Sequence, residues 1–251
     1  MEWWHYAGLG LAALAAGFVD AIAGGGGLLT VPALLWAGLD PAVALGTNKM
    51  QSCCGTALAV RNYARAGLLR EQELRAGILW TAGAAAVGAM VVSRVPVELL
   101  RRSVPWLLIV IAIYTAVSPK MSDLHGERRV SGGMFACGFG LLLGFYDGAF
   151  GPGTGSFWTM ACVLLLGLGL RHATAYTKVM NLTSNLASLV VFLWAGVVRF
   201  EVAGVMIAGQ LAGAQLGSGM VLRNGSRVIR PVLITTVLLM AGKLLWEQWR
   251  R

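Results

Sequence analysis

Charge is scarce in this sequence. Asp, Glu, Lys and Arg make up 12% of its 251 residues against 57% hydrophobic ones, and the mean hydropathy is +0.70. Such a composition excludes a chain that keeps itself soluble and marks an integral membrane protein. Strict apolar and polar alternation is missing too, which excludes a barrel and leaves helices. The four cysteines lack metal-ligand spacing, and the adjacent Cys53 and Cys54 read as small buried hydrophobes in an apolar helix. His5, His125 and His172 have no Glu at a metalloprotease spacing, and neither a nucleophile elbow nor a Walker loop is present. We therefore expect no enzyme, no metal and no cofactor. A basic leader is lacking before the first apolar run, so that run is expected to be retained.

The formal charge of +9 comes from 20 Lys and Arg, mostly at the ends of apolar runs and without interleaved aromatics. They read as loop charges that set orientation in the bilayer, with no nucleic-acid partner. Trp3, Trp4, Trp246 and Trp249 suit an interfacial belt.

What the chain has in abundance is self-similarity. "GFVDAIAGGGG" from Gly17 is echoed by "GFYDGAFGPGTG" from Gly144, aligning Asp20 with Asp147, Gly24 with Gly151 and Gly26 with Gly153. "ALGTNKMQSCCG" from Ala44 answers "ATAYTKVMNLTS" from Ala173, aligning Lys49 with Lys178. The expected fold is all-α, with two homologous repeats of about five apolar segments each. The segments are 3 to 23, 27 to 39, 42 to 64, 74 to 93 and 97 to 118, then 131 to 150, 155 to 170, 172 to 195, 202 to 222 and 227 to 247. The second of each five is too short to cross easily, leaving about eight full spans and two short or broken segments. The first repeat is 1–118, a polar connector 119–130 and the second repeat 131–251. An inverted arrangement is expected, with the joint inside and both chain ends outside, because Arg128 and Arg129 precede the second repeat while nothing basic precedes the first. The basic C-terminus argues the other way.

Four consecutive glycines should break the helix at Gly24 to Gly27, since each disfavours helix by about 1 kcal/mol relative to Ala. Gly151, Pro152 and Gly153 should break the second copy likewise. Broken backbone at membrane depth is tolerated only where protein covers it or a wet cavity receives it. The helix that follows presents free N–H groups that favour an anion, so Gly25, Gly26, Gly27, Gly153 and Thr154 are candidate site positions. Asp20 and Asp147 could hold these loops through hydrogen bonds to their amides, or exchange a proton.

A lysine at the centre of a membrane helix costs at least about 2.5 kcal/mol, so Lys49 and Lys178 need partners or water. Thr47, Asn48 and Gln51 accompany the first, and Thr177, Asn181 and Asn185 the second, as candidate substrate contacts. The competing reading pairs each lysine with the aspartate of its own repeat as a purely structural tie, or lets it snorkel to the interface. Gln210 and Gln215 could face a cavity or bridge helices, while "AGAAAVGAM" from Ala82 and "GQLAGAQLGSG" from Gly209 look like close-packing faces.

The stretch "DAIAGGGGLLTVPALLWAGLDPAVALGTNK" and its echo "GFYDGAFGPGTGSFW" with "TKVMNLTSN" resemble the TauE/SafE family of membrane transporters, YfcA-like members among them. The resemblance runs over nearly the whole chain. It implies a multi-pass carrier in the bacterial inner membrane that moves a sulfur-containing or organic anion such as sulfite, sulfoacetate or a sulfonate, often outward. The expected partners are a small anion, the lipid bilayer and a coupling proton or ion, with a homodimer left open. A channel or an uptake permease stands as the nearer alternative, and a non-transporting membrane scaffold as the more distant one.

Overall fold

The computed structural model describes residues 2–69, 71–100, 106, 126–225 and 227, with the backbone alone for 71–73. Among these residues there are helices and no strands. Eight helices follow in order: α1 (Trp3–Ala23), α2 (Gly27–Trp36), α3 (Pro41–Arg65), α4 (Glu71–Ser93), α5 (Gly132–Ala149), α6 (Thr154–Leu166), α7 (Leu170–Trp194) and α8 (Phe200–Asn224). Residues 97–100, 106 and 227 are helical too, but most of the expected fifth and tenth segments, most of the connector, and Trp246 and Trp249 fall outside the described residues.

Local chemistry sets the helix limits. α1 stops where Gly24 (φ 72°) and Gly25 (φ 115°) turn into backbone space that costs other residues dearly. Pro41 opens α3 at a position where its missing N–H leaves nothing unpaired, and Ser131 caps α5 by accepting from the Met134 amide at 3.3 Å. α5 ends at Ala149, and Gly151 and Gly153 supply the positive φ of the second break.

Three of these helices, Trp3–Ala23, Leu74–Ser93 and Phe200–Asn224, are long and apolar enough to cross a membrane. That is fewer than the eight full spans expected from apolar runs. α3 and α7 have ample length at 25 residues each, but they carry the polar cluster described below and so fall short in apolarity. α2 and α6, with 10 and 13 residues, are short, as their apolar runs suggest. Large apolar side chains such as Leu142, Val190, Trp194 and Leu216 point outward from the helices, an arrangement suited to lipid contact.

Small residues draw the helices together. α1 lies along α8, where Gly209, Gly213 and Gly217 face the backbone carbonyls of Gly10, Leu14 and Phe18. α4 lies along α5, where Gly88 faces the Phe145 carbonyl and Gly148 that of Ala85. A Cβ at any of these glycines would collide with backbone, so the close approach depends on them. Gly83, in the same small-residue run, has open space around it, so only part of that run packs. α3 packs on both α7 and α8, and α4 also packs on α7. This places α3 and α7, with their polar residues, in the interior.

Candidate functional site

The two breaks meet. Gly24 lies so close to Gly155 that a Cβ on either would overlap the other's Cα. Gly27, the first residue of α2, rests on Pro152. Ser156 Oγ donates toward the carbonyls of Ala23 and Gly24 at 3.5 and 3.4 Å, serving carbonyls at the end of α1 that helix termination leaves without helical partners.

Lys49 and Lys178 each stand ninth in a helix of 25 residues, about 12 Å along the axis at 1.5 Å per residue. Their side chains are 1% and 0% exposed, so neither snorkels out. Lys49 Nζ lies 2.7 Å from Asp147 Oδ1, and Lys178 Nζ lies 3.1 Å from Asp20 Oδ2. The within-repeat pairing set out as the structural reading is therefore wrong: each lysine reaches the aspartate of the other half. The cause is the crossing of the breaks, which carries the end of α5 to α3 and the end of α1 to α7.

The two pairs differ in how fully they are satisfied. Lys49 donates three hydrogen bonds, to the Asp147 carbonyl at 2.6 Å, Asp147 Oδ1 at 2.7 Å and Asn185 Oδ1 at 3.0 Å. Those are all the donors an ammonium has. Asp147 Oδ2 also accepts from Ser184 Oγ. Lys178 makes one hydrogen bond among the described residues, to Asp20. The other oxygen of Asp20, Oδ1, accepts from the amides of Gly25 and Gly26, both at 3.3 Å.

A small cavity of about 20 Å³ opens at this crossing, lined by Asp20, Gly25, Gly27, Asn48, Lys49, Ser52, Asp147, Gly151, Gly155, Asn181 and Asn185. It gathers both aspartates, three amide side chains and both breaks in one place. Two aspartates and two lysines leave the group formally neutral. Asn181 Oδ1 is buried without a hydrogen-bond partner among the described residues, which leaves it able to accept from a donor.

Several residues singled out in the sequence lie beside the cavity lining instead of in it. Thr47 Oγ1 accepts from the Arg199 amide at 3.0 Å, holding the entry to α8. Thr177 Oγ1 bonds Thr159 Oγ1 of α6 at 3.0 Å. Gln51 Nε2 donates to Asn48 Oδ1 at 2.9 Å, and Asn48 Oδ1 also accepts from Thr30 Oγ1. The Gly26 carbonyl accepts from Thr30 Oγ1 at 3.1 Å, and Thr154 Oγ1 closes the second break on the Gly151 carbonyl at 2.7 Å. Gly153, left-handed, precedes the first residue of α6. Gln210 packs on Gly55 of α3, and Gln215 Oε1 accepts from Asn62 Nδ2 at 3.0 Å, so both lie between helices.

Ser52, Ser184 and Gly155 were not legible as site residues. A serine in a membrane helix commonly turns its hydroxyl back to its own helix and gives no sequence signal; Ser184 Oγ also lies 3.1 Å from the Asn181 carbonyl.

The sequence profile described as Sulfite exporter TauE/SafE matches residues 9–244. A "Probable membrane transporter protein" of Haemophilus influenzae is 41% identical over 233 residues, which cover 93% of this chain and 91% of that protein. The "Probable membrane transporter protein ORF9" of Sinorhizobium sp is 43% identical over 235 residues, 94% and 90% of the two chains. The "Probable membrane transporter protein YfcA" of Escherichia coli K12 is 42% identical over 235 residues, 94% and 87%. No solved structure matches the chain.

Proposed function

Because the chain belongs to the sulfite exporter TauE/SafE family, a family of membrane transporters, we propose that it is a secondary transporter of a small organic or sulfur-containing anion. The substrate sits in the cavity where the two breaks cross, and the direction is export. The observation that carries this reading is the cavity itself: buried charge, unpaired amide and broken backbone converge at one place inside an apolar protein. Non-helical backbone at membrane depth and intramembrane ionisable groups are features of transport paths.

The fold we infer around it is two inverted repeats in the inner membrane, with about eight full spans and two broken segments. The packing supports that inference. If α1 to α4 correspond to α5 to α8, the contact of α1 with α8 maps onto that of α5 with α4, and α3 with α8 onto α7 with α4. Alternating access follows by rocking one bundle against the other around the crossing. No ATP-binding motif accompanies the chain, so an ion gradient or the substrate's own gradient supplies the energy. The aspartates are the groups able to couple a proton.

The test is ligand-induced stabilisation of purified protein by sulfite, thiosulfate, sulfoacetate, taurine and simple carboxylates. An anion at about 100 times its Kd should add about 2.7 kcal/mol. The same anion should show saturable counterflow in vesicles, which separates a carrier from a channel. Absence of stabilisation by every anion, together with absence of flux, would leave the scaffold reading in its place.

A further inference from the structure

The donors around Asp20 form an anion site that the protein fills with its own carboxylate. Three N–H donors converge on it: the amides of Gly25 and Gly26 on Oδ1, and the Lys178 ammonium on Oδ2. The amides come from the start of α2, where the helix dipole favours negative charge. Lys178 is fully buried and does not itself line the cavity, whereas Asp20 lines it and its side chain is 14% exposed. The carboxylate thus stands between the cavity and the cation. An anion entering from the cavity meets Asp20 first.

Resting on the anion reading of this site, we propose that the Asp20 carboxylate stands in for the transported anion in this conformation. The substrate binds by displacing it, and one proton is taken up by Asp20 for each monovalent anion bound. Keeping the site neutral requires the proton, because an uncompensated buried charge is costly. Before binding, Lys178 and Asp20 sum to zero. A monovalent anion on Lys178 with Asp20 still ionised leaves one net negative charge beside Asp147 in a partly enclosed cavity. Protonation of Asp20 from bulk solvent restores neutrality. The resulting carboxyl O–H needs an acceptor, and Asn181 Oδ1, whose residue lines the same cavity and which has no donor among the described residues, supplies one.

The second pair does not share this design. Lys49 spends all three donors on Asp147 and Asn185, and Asp147 is held further by Ser184. The bonds to Lys49, at 2.6 to 3.0 Å, are shorter than those to Asp20, at 3.1 to 3.3 Å. Asp20 is the replaceable carboxylate, and Asp147 anchors the crossing. The titratable groups that pair with Asp20, act on it or share its cavity are Lys178 on α7, Lys49 and Tyr63 on α3, and Asp147 on α5; α2 contributes none, α6 carries Cys162, and α8, packed along α1, carries Glu201 and Arg223 in its first and last turns. Tyr63 already donates its hydroxyl to the Ala21 carbonyl at 2.6 Å.

The test uses methanesulfonate and 2-hydroxyethanesulfonate, monovalent probes whose charge does not change near neutral pH. Calorimetric binding to the purified full chain should weaken about a hundredfold from about pH 6 to pH 8, because proton uptake opposes binding as pH rises by about tenfold per unit. A pH-indicator dye in weak buffer should report one proton taken up per anion bound by the wild type. Asp20→Asn should bind at pH 8 at least as tightly as the wild type does at pH 6, with a flat pH profile and no proton uptake. Wild-type binding without proton uptake overturns this inference and leaves the anion reading standing. No binding of either sulfonate at either pH overturns the inference and counts against the anion reading too. The dye measurement needs no variant, so the test holds even where Asp20→Asn fails to fold.

Discussion

Substituting Lys49 by Met should destabilise the protein severely, and only one second substitution should repair it. Met fills much of the same volume but removes three hydrogen bonds at once, to the Asp147 carbonyl, Asp147 Oδ1 and Asn185 Oδ1. Asp147, with a side chain 5% exposed, then keeps only Ser184 as a side-chain hydrogen-bond partner among the described residues. Breaking a buried pair by removing one member costs about 3–5 kcal/mol, because the remaining charge is stranded. Lys178→Met should cost less, about 1–3 kcal/mol, since Asp20 retains the Gly25 and Gly26 amides and some exposure. Adding Asp147→Asn to Lys49→Met removes the stranded charge and should recover about 2 kcal/mol or more as a coupling energy. Adding Asp20→Asn to Lys49→Met should not. The assay is thermal unfolding of detergent-purified variants at matched protein and detergent, run as two crossed double-mutant cycles. Lys49→Met unfolding with the wild type, or rescue by Asp20→Asn as effective as rescue by Asp147→Asn, would refute the crossed pairing.

Other perturbations separate the breaks from the packing faces. Gly24→Leu should abolish folded protein or flux, since it forces a side chain into positive φ against the Gly155 backbone. Gly83→Ala, with open space around it, should be neutral or stabilise by up to about 1 kcal/mol in thermal unfolding. Gly213→Leu should separate α1 from α8, because a side chain there collides with the Leu14 carbonyl and Phe18 amide; a yield of folded protein equal to the wild type would count against that contact. Reporters active only in the periplasm or fluorescent only in the cytoplasm, fused after Arg251, should place the C-terminus outside. A cytoplasmic C-terminus with a cytoplasmic joint would sink the inverted arrangement.

Much of this protein is written locally. Scarce charge and long apolar runs dictate a membrane chain of helices, and the limits of α1, α3, α5, α7 and α8 follow those runs within two residues. The breaks are equally local, because glycine's access to positive φ at Gly24, Gly25, Gly151 and Gly153 depends on the residue itself and not on what surrounds it. The sequence also points to the buried polar groups, since lysine, aspartate and asparagine in apolar helices must find partners somewhere.

It does not say which partners. Two lysines and two aspartates admit two pairings with the same local cost, and the choice lies between groups 98 and 158 residues apart. Only the crossing of the breaks, with Gly24 on Gly155 and Gly27 on Pro152, selects the exchange between halves. The same long-range geometry makes Lys49 saturated and Lys178 open, although their positions within their helices are equivalent. It also turns Thr47 and Thr177 away to neighbouring helices while bringing Ser52 and Gly155 to the cavity. Helix propensity and backbone strain act over a few residues and can be read along the chain. Ion pairing and close packing act through space, and their partners exist only once the helices have met.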